Sequence, residues 1–449
     1  MSRIYLLSSN TSTDPYPVYP LGMATVASAL VNRGHEVYQF DFLVSNKSID
    51  QLHETLVDFN PDFVGISLRN IDAADSLSSD IWYLNEAKML VERIREITAV
   101  PIIIGGSAFS IMPEEILEYL RADHGIAGEG ERAFSSLIDF LKEGRSAPRI
   151  LDGRDYPLSM GEMCFPLIEK ELIRFYIERS GLMSIQTKRG CPHKCIYCTY
   201  PSLEGKQFRT REPRAVADHI ERMKSRYNVD TFCFTDSVFN DTSENYLEVA
   251  EELLRQEIGI RWSAFFRPKE IGRKELKLLK RSGLYAMEVG TDASSDDTLR
   301  GLNKEFSFSD VIDFTRMSID EEIPCCHFII FGGPNETEET VKKGLENINE
   351  LGNCLVVVFS GIRILPGTDL HTLTLQEGMI TEKTPMLKPS YYFSPGIKPE
   401  IMNETIQKAF RGRRDRFFPP SKGQDRIKVM NRFGYQGILW DKLISFKKN

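Results

Sequence analysis

The chain has no apolar run of bilayer length, no excess of positive charge, no internal repeat and no cysteine before Cys164. A membrane helix needs ~20 consecutive apolar residues. The longest buried-looking run, CLVVVFSGIRIL, falls short and contains Arg363. No transmembrane segment is therefore expected. The opening MSRIYLLSSN has only a strand-like apolar stretch, not a signal peptide, so a cytoplasmic protein is expected. Lys and Arg number 56 against 64 Asp and Glu, a net charge of −8. That balance gives no electrostatic footprint for nucleic acid. Eight cysteines in 449 residues are too sparse for a disulfide framework. Cys164, Cys233, Cys325, Cys326 and Cys354 read as buried reduced thiols. The other three fall within eight residues, and that crowding asks for metal.

A length of 449 residues exceeds one ordinary core, at roughly 100–200 residues per domain. Residues 1–145 alternate strand and helix, beginning with RIYLLSS, PLGMATVASALVNRG and HEVYQFDF. The pattern predicts an α/β, doubly wound domain with a parallel sheet and helices on both faces. Ligands on such sheets bind beyond the carboxyl ends of the strands. The loops there are Ser8–Pro20, Ser67–Asp72, Gly105–Ser110 and Gly128–Glu131. Residues 146–180 hold three prolines in APRILDGRDYPLSMGEMCFPLIEK and little periodicity, which predicts a linker. Residues 181–380 resume the alternation with strands LMSIQTK, TFCFTD, RWSAFF, YAMEVG, CCHFIIFG and LVVVFSGIRIL. Six βα units predict a partial (β/α)6 barrel, since a full eight-stranded one needs ~250 residues. Residues 381–449 read as a mostly helical tail or cap. Within it RGRRDR fits a solvated face or ion network, or a site for an anionic substrate or lipid headgroup.

The three crowded cysteines, Cys191, Cys195 and Cys198, lie in KRGCPHKCIYCTYP, directly after the first barrel strand. Thiolates hold iron–sulfur clusters, usually four at a time. Three leave one iron open, the mark of a catalytic rather than structural metal centre. A zinc site would need a fourth ligand, and His193 is poorly spaced for it.

The Cys-x3-Cys-x2-Cys spacing, with Tyr197 before the last cysteine, resembles the signature of the radical S-adenosylmethionine superfamily. The resemblance implies a 4Fe–4S cluster whose open iron is chelated by S-adenosylmethionine. One electron would cleave the sulfonium to a 5′-deoxyadenosyl radical. It implies adenosylmethionine contacts at Tyr197, Asp236, Arg267, Glu288, Gly332, Gly333 and Arg363. For Asp236, helix capping is an equal alternative. Lys304 in LNKEFS matches a recurrent lysine of these proteins. A doubly wound domain ahead of the barrel resembles the cobalamin-binding subgroup, through YPLGMATVASALVNRGHEV, VGISLRNID, IIIGGSAFSIMPEEIL and GIAGEGE. The Asp-x-His-x-x-Gly motif that places histidine under cobalt is absent. Cobalamin would then rest on the turn Ser67, Leu68, Arg69 and Asn70, with Gly105, Gly106, Gly128, Glu129 and Gly130 lining its tail.

The function implied is cobalamin-dependent radical methylation of an unactivated carbon in a small-molecule or lipid substrate. The alternative is a non-methylating radical cyclisation, rearrangement or carbon–carbon coupling. Either needs an electron donor such as flavodoxin or ferredoxin. A methylthiotransferase would bring N-terminal cluster cysteines, which are missing. No general base is identifiable.

Overall fold

The computed structural model describes residues 1–159 and 162–444. Six parallel strands form the first sheet: β1 (Arg3–Ser8), β2 (Glu36–Asp41), β3 (Phe63–Ser67), β4 (Ile102–Gly105), β5 (His124–Ala127) and β6 (Ile150–Asp152). Their order is β2-β1-β3-β4-β5-β6, so the chain reverses direction across the sheet between β1 and β3. A ligand crevice opens at such a switch point. The turn Ser67–Asn70 stands there, at the end of β3. The helices between strands form where one apolar stripe meets local stop signals. Helix Ile49–Phe59 starts with the Ser48 hydroxyl accepting from the Gln51 N–H, buries Leu52 and Leu56, and ends at left-handed Asn60. Strand β6 lies in the stretch predicted to be linker. Three residues are too few to show periodicity; pairing with β5 supplies what local sequence cannot. Residues Lys170–Ser180 of the same stretch are helical.

The second sheet is also all parallel, in the order β17-β14-β13-β12-β11-β10-β7. In chain order the strands of this half are β7 (Met183–Ile185), β8 (Lys188–Arg189), β9 (Arg209–Thr210), β10 (Thr231–Phe234), β11 (Arg261–Phe266), β12 (Leu284–Asp292), β13 (Cys325–Phe331), β14 (Leu355–Ser360), β15 (Ile362–Arg363), β16 (Tyr391–Tyr392) and β17 (Arg416–Phe417). The six predicted barrel strands are present. β17 comes from the tail and adds a seventh, so the tail is not helical throughout. Two small antiparallel pairs, β8 with β9 and β15 with β16, sit outside the main ladder. One face of the sheet packs on helices. On the other, Cys233, Ala286, Cys326, Leu355 and Val357 cluster with Ile438, Leu439 and Trp440 from the C-terminal segment. Among the described residues no helix is long and apolar enough to cross a membrane.

Candidate active site

The cysteine loop begins where the first barrel ladder is made to stop. Of the predicted strand LMSIQTK only Met183–Ile185 pairs in the main sheet, and Lys188 pairs instead with Thr210 in the β8–β9 ladder. Beyond it the Asp236 carboxylate, at the end of β10, accepts the backbone N–H of Thr187 at 2.7 Å and of Lys188 at 3.2 Å. It also takes the Thr187 hydroxyl. Asp236 therefore anchors the root of the loop, and its oxygens are occupied by protein donors. Lys188 is fully buried and pairs with the equally buried Asp241, while its Nζ donates to the Phe239 carbonyl. A pair desolvated this completely holds its geometry firmly, because removing one partner strands the other, at about 3–5 kcal/mol. Gly190 then turns the chain at φ +89°, where a Cβ would meet the Gln207 carbonyl at 2.0 Å. No other residue fits that turn. Its N–H is received by Glu204 and its carbonyl accepts from Ser237.

The three cysteines follow. The Cys191 N–H donates to the Gly205 carbonyl, Cys198 N–H to the Cys195 carbonyl, and Ile196 N–H to the Leu302 carbonyl. Burial pushes the Cys198 thiol up to about 12, with Cys195 and Cys191 adding to the shift. Among the described residues no three His, Cys, Asp or Glu side chains form a single-ion arrangement. Each thiolate of a cluster binds a different iron, so these three need only border a common volume. Their mutual influence on ionisation puts them around one. The donor set fits an iron–sulfur cluster with an open position.

Beside them lies an ion pair that the sequence did not reveal. Lys304 bonds Asp292, which ends β12 at φ +62°. The Lys304 Nζ stands 5.6 Å from the Tyr197 ring centre and 5.9 Å from that of Phe306. Tyr197, Lys304 and the cysteines are thus brought together. Arg267 is near them: it pairs with Glu305 at 3.0 Å and Glu270 at 3.3 Å, and Glu305 also meets His193 at 3.3 Å. Glu288 sits deeper on the same strand, opposite Phe265 and Cys326. Among the described residues it has no cation partner, and burial alone pushes its carboxyl up to about 8.

Two predicted contacts are engaged elsewhere. The Arg363 guanidinium pairs with Asp72 of the first domain at 2.9 Å and donates to the carbonyls of Ile364 and Met386. Its charge is already matched across the domain interface rather than open to a ligand carboxylate. At Gly332 the close approach is made by the Phe393 ring, 2.8 Å from where a Cβ would stand. Gly333 faces Ile362 and Leu302.

The first domain meets this loop directly. Arg189 places its guanidinium between Glu129, at 3.0 Å, and Glu131, at 2.7 Å. Arg209 reaches Glu129 as well, at 2.6 Å. Burial raises the Glu129 pKa, but Arg209 and Arg189 more than offset it, and the carboxyl ends below its ordinary value. Glu129 was expected to line a cofactor tail; its side chain is instead a clamp on the cysteine loop. A Cβ at Gly128 would stand 3.8 Å from the Leu203 carbonyl of the second domain, and Gly130 faces Val26.

At the switch point the predicted segments do converge. Gly106, at φ +99°, packs so tightly on the Ser67–Asn70 turn that a Cβ would meet the Leu68 carbonyl at 2.4 Å. The Leu68 N–H donates to the Gly105 carbonyl and the Ser107 hydroxyl to the Arg69 carbonyl. Arg69 has no ion-pair partner among the described residues. Its side chain is exposed, and Tyr16, Tyr176, Tyr200 and Tyr83 lie near enough to act on its charge. Tyr16, from the loop after β1, also approaches Cys233 and Glu288. The same loop therefore borders both the switch point and the barrel.

Comparison with known proteins agrees with this two-part arrangement. Residues 9–138 match the model of the B12 binding domain, and residues 185–348 that of the Radical SAM superfamily. The chain is 25% identical over 432 residues to a tryptophan 2-C-methyltransferase of Streptomyces laurentii, covering 78% of this chain and 71% of that protein. It is 23% identical over 415 residues to an uncharacterized methyltransferase of Pyrococcus horikoshii, covering 87% and 86%. The fold superimposes on the radical S-adenosylmethionine methyltransferase TsrM of Kitasatospora setae, whose structure holds cobalamin and a [4Fe-4S] cluster, with TM-score 0.86 and 21% identity over 99% of this chain and 97% of that one.

Proposed function

Because the chain belongs to the radical S-adenosylmethionine proteins that carry a B12-binding domain, we propose that it is a cobalamin-dependent C-methyltransferase using a 4Fe–4S cluster and S-adenosylmethionine. The observation that carries this reading is the clamp of Arg189 and Arg209 on Glu129 and Glu131. It fixes the cysteine loop against the strand ends of the first domain, so the two cofactor sites open on one interface. The relatives named above support methyl transfer.

The chemistry the bound cofactors supply is one-electron cleavage of adenosylmethionine and methyl transfer by way of cobalamin. The chain's own residues bind, orient and exclude water. Cys191, Cys195 and Cys198 hold the cluster. Asp236 and the Lys188–Asp241 pair fix the root of the loop. Arg69 and the Ser67–Asn70 turn would hold the cobalamin, Arg69 bringing a cation that has no ion-pair partner among the described residues. Gly105 and Gly106 border that turn. Tyr197, Lys304, Asp292 and Arg267 border the adenosylmethionine side. Glu288 stays protonated up to about pH 8 and can donate a hydrogen bond to substrate without adding charge to the barrel. The closed clamps keep water from the reacting centre.

The substrate is a small molecule or a lipid, and a flavodoxin or ferredoxin supplies electrons in the cytoplasm; eight free cysteines suit that reducing setting. The test is turnover of the anaerobically reconstituted protein on fractionated cell metabolites, with adenosylmethionine carrying a deuterated methyl group. The reading requires labelled methyl in a product, formed in step with S-adenosylhomocysteine. Cleavage to 5′-deoxyadenosine and methionine, with no label transferred, would favour the non-methylating alternative.

A further inference from the structure

At the far end of the barrel from the cysteine loop, the chain builds a second cavity of about 360 Å³. Its place is set by β17, whose Arg416 and Phe417 pair with Val356 and Val357 near the start of β14. The charged residues lining it are Arg411, Arg413, Arg416, Lys422 and Arg426, with no acid among them. In a chain of net charge −8 such a concentration is a local reversal.

The protein neutralises little of it. Among the described residues Asp415 is the one carboxylate paired with these cations, and two arginines share it: Arg413 at 2.9 Å and Arg416 at 3.1 Å. Arg426 donates to the Arg414 carbonyl and lies over the Phe417 ring at 5.3 Å. Arg411 and Lys422 have no ion-pair partner among the described residues. Arg416 is 3% exposed; its two Nη atoms donate to the carbonyls of Cys354, Ile348 and Gly352 as well as to Asp415, and its Nε alone has no hydrogen-bond partner. The twelve-residue helix Ser421–Arg432 also begins at the cavity, with no capping side chain and no acid in its first turn. Lys422 stands in that turn. A cation at the positive end of a helix is unfavourable. The Arg411 guanidinium and the Lys422 ammonium, without ion-pair partners among the described residues, and the free Arg416 Nε line one hollow, and such donors are the partners that a tetrahedral dianion takes, two oxygens to an arginine fork.

We infer that this pocket binds a phosphate group, borne by a small metabolite or by a lipid headgroup. The site is remote from the cysteine loop and independent of the reaction proposed there. A bound phosphate would tie the helix Ser421–Arg432 to β17, whose Phe417 belongs to the cluster that packs the barrel interior against the C-terminal segment.

The test uses the full chain and its R411A/K422A double variant; both side chains are exposed and neither has a carboxylate partner. Equilibrium dialysis with labelled inorganic phosphate and diphosphate at fixed ionic strength probes the free anion. Flotation with phosphatidylcholine vesicles, with and without phosphatidic acid, probes the headgroup. The inference requires saturable binding in one arm, weakened about tenfold or more in the variant, as the loss of charge-assisted hydrogen bonds implies. Circular dichroism melting of the variant should match wild type. Absence of saturable binding in both arms, or a double variant that binds as wild type does, overturns it.

Discussion

Glu288 gives a pH dependence that can be worked out from its surroundings. Its side chain is buried, sits opposite Phe265 and Cys326, and meets no cation, so burial alone sets its pKa near 8. In the unfolded chain a glutamate titrates near ~4.3. The folded value is raised, so the stabilisation is full below the unfolded pKa and is lost as pH climbs through the folded one. Between about pH 6 and pH 8 the linkage amounts to about 2 kcal/mol. With an unfolding entropy of ~2.1 cal/mol/K per residue, a chain of 449 residues shifts its melting midpoint by about 2 °C, and by more if the barrel melts as its own unit. Glu288→Gln keeps the shape and removes the titration. Melting by circular dichroism under argon at both pH values, read as wild type minus variant, cancels every other titrating group. Wild type should lose about 2 °C more than the variant on going to the higher pH. Parallel losses in the two proteins would refute the assignment of Glu288 as an unpaired buried acid.

Other consequences follow from the clamps and the loop. Arg189→Ala leaves Glu131 buried without its cation, while Glu129 keeps Arg209, and should cost about 3–5 kcal/mol in urea unfolding; adding Glu131→Gln should restore part of it, and no restoration would argue against the clamp. Asp72→Ala strands the buried Arg363 and should lower the melting midpoint, whereas Asp72→Asn, which keeps an acceptor, should lower it less. Cys195→Ala should abolish reductive cleavage of adenosylmethionine, measured as methionine and 5′-deoxyadenosine; retained cleavage would exclude the loop as the cluster site. Gly190→Ala should reduce iron content after reconstitution, since its side chain would collide with the Gln207 carbonyl.

Much of this was legible in the residues because it depends on local pattern. The parallel strands announce themselves as short β-branched runs between amphipathic helices, and the cysteine loop is a spacing within eight residues. The turns at Ser67–Asn70 and Gly105–Gly106 meet in the structure because strand ends of a doubly wound sheet share one edge. What stayed hidden is long-range. The Arg189–Glu129, Lys188–Asp241 and Arg363–Asp72 pairs join positions far apart in sequence, and an ion pair leaves no periodicity. Arg363 reads as a free cation at a strand end until its partner from another domain is seen. Asp292 carried one faint signal, an acid ending a strand in MEVGTDA, close to the cysteines only once Lys304 folds beside it. Strands β6 and β17, of three and two residues, are defined by their neighbours alone.

In the proposed enzyme one interface between the two domains holds both a cluster and a cobalamin. Protein prepared anaerobically with iron, sulfide and cobalamin supplied, then freed of unbound cofactor, tests it through metal analysis and a visible spectrum. Wild type should carry a four-iron cluster and an equimolar cobalamin, with cobalamin diminished in Arg69→Ala and iron diminished in Cys195→Ala. A cobalamin-to-protein ratio near zero in wild type that nevertheless carries its full cluster would contradict it.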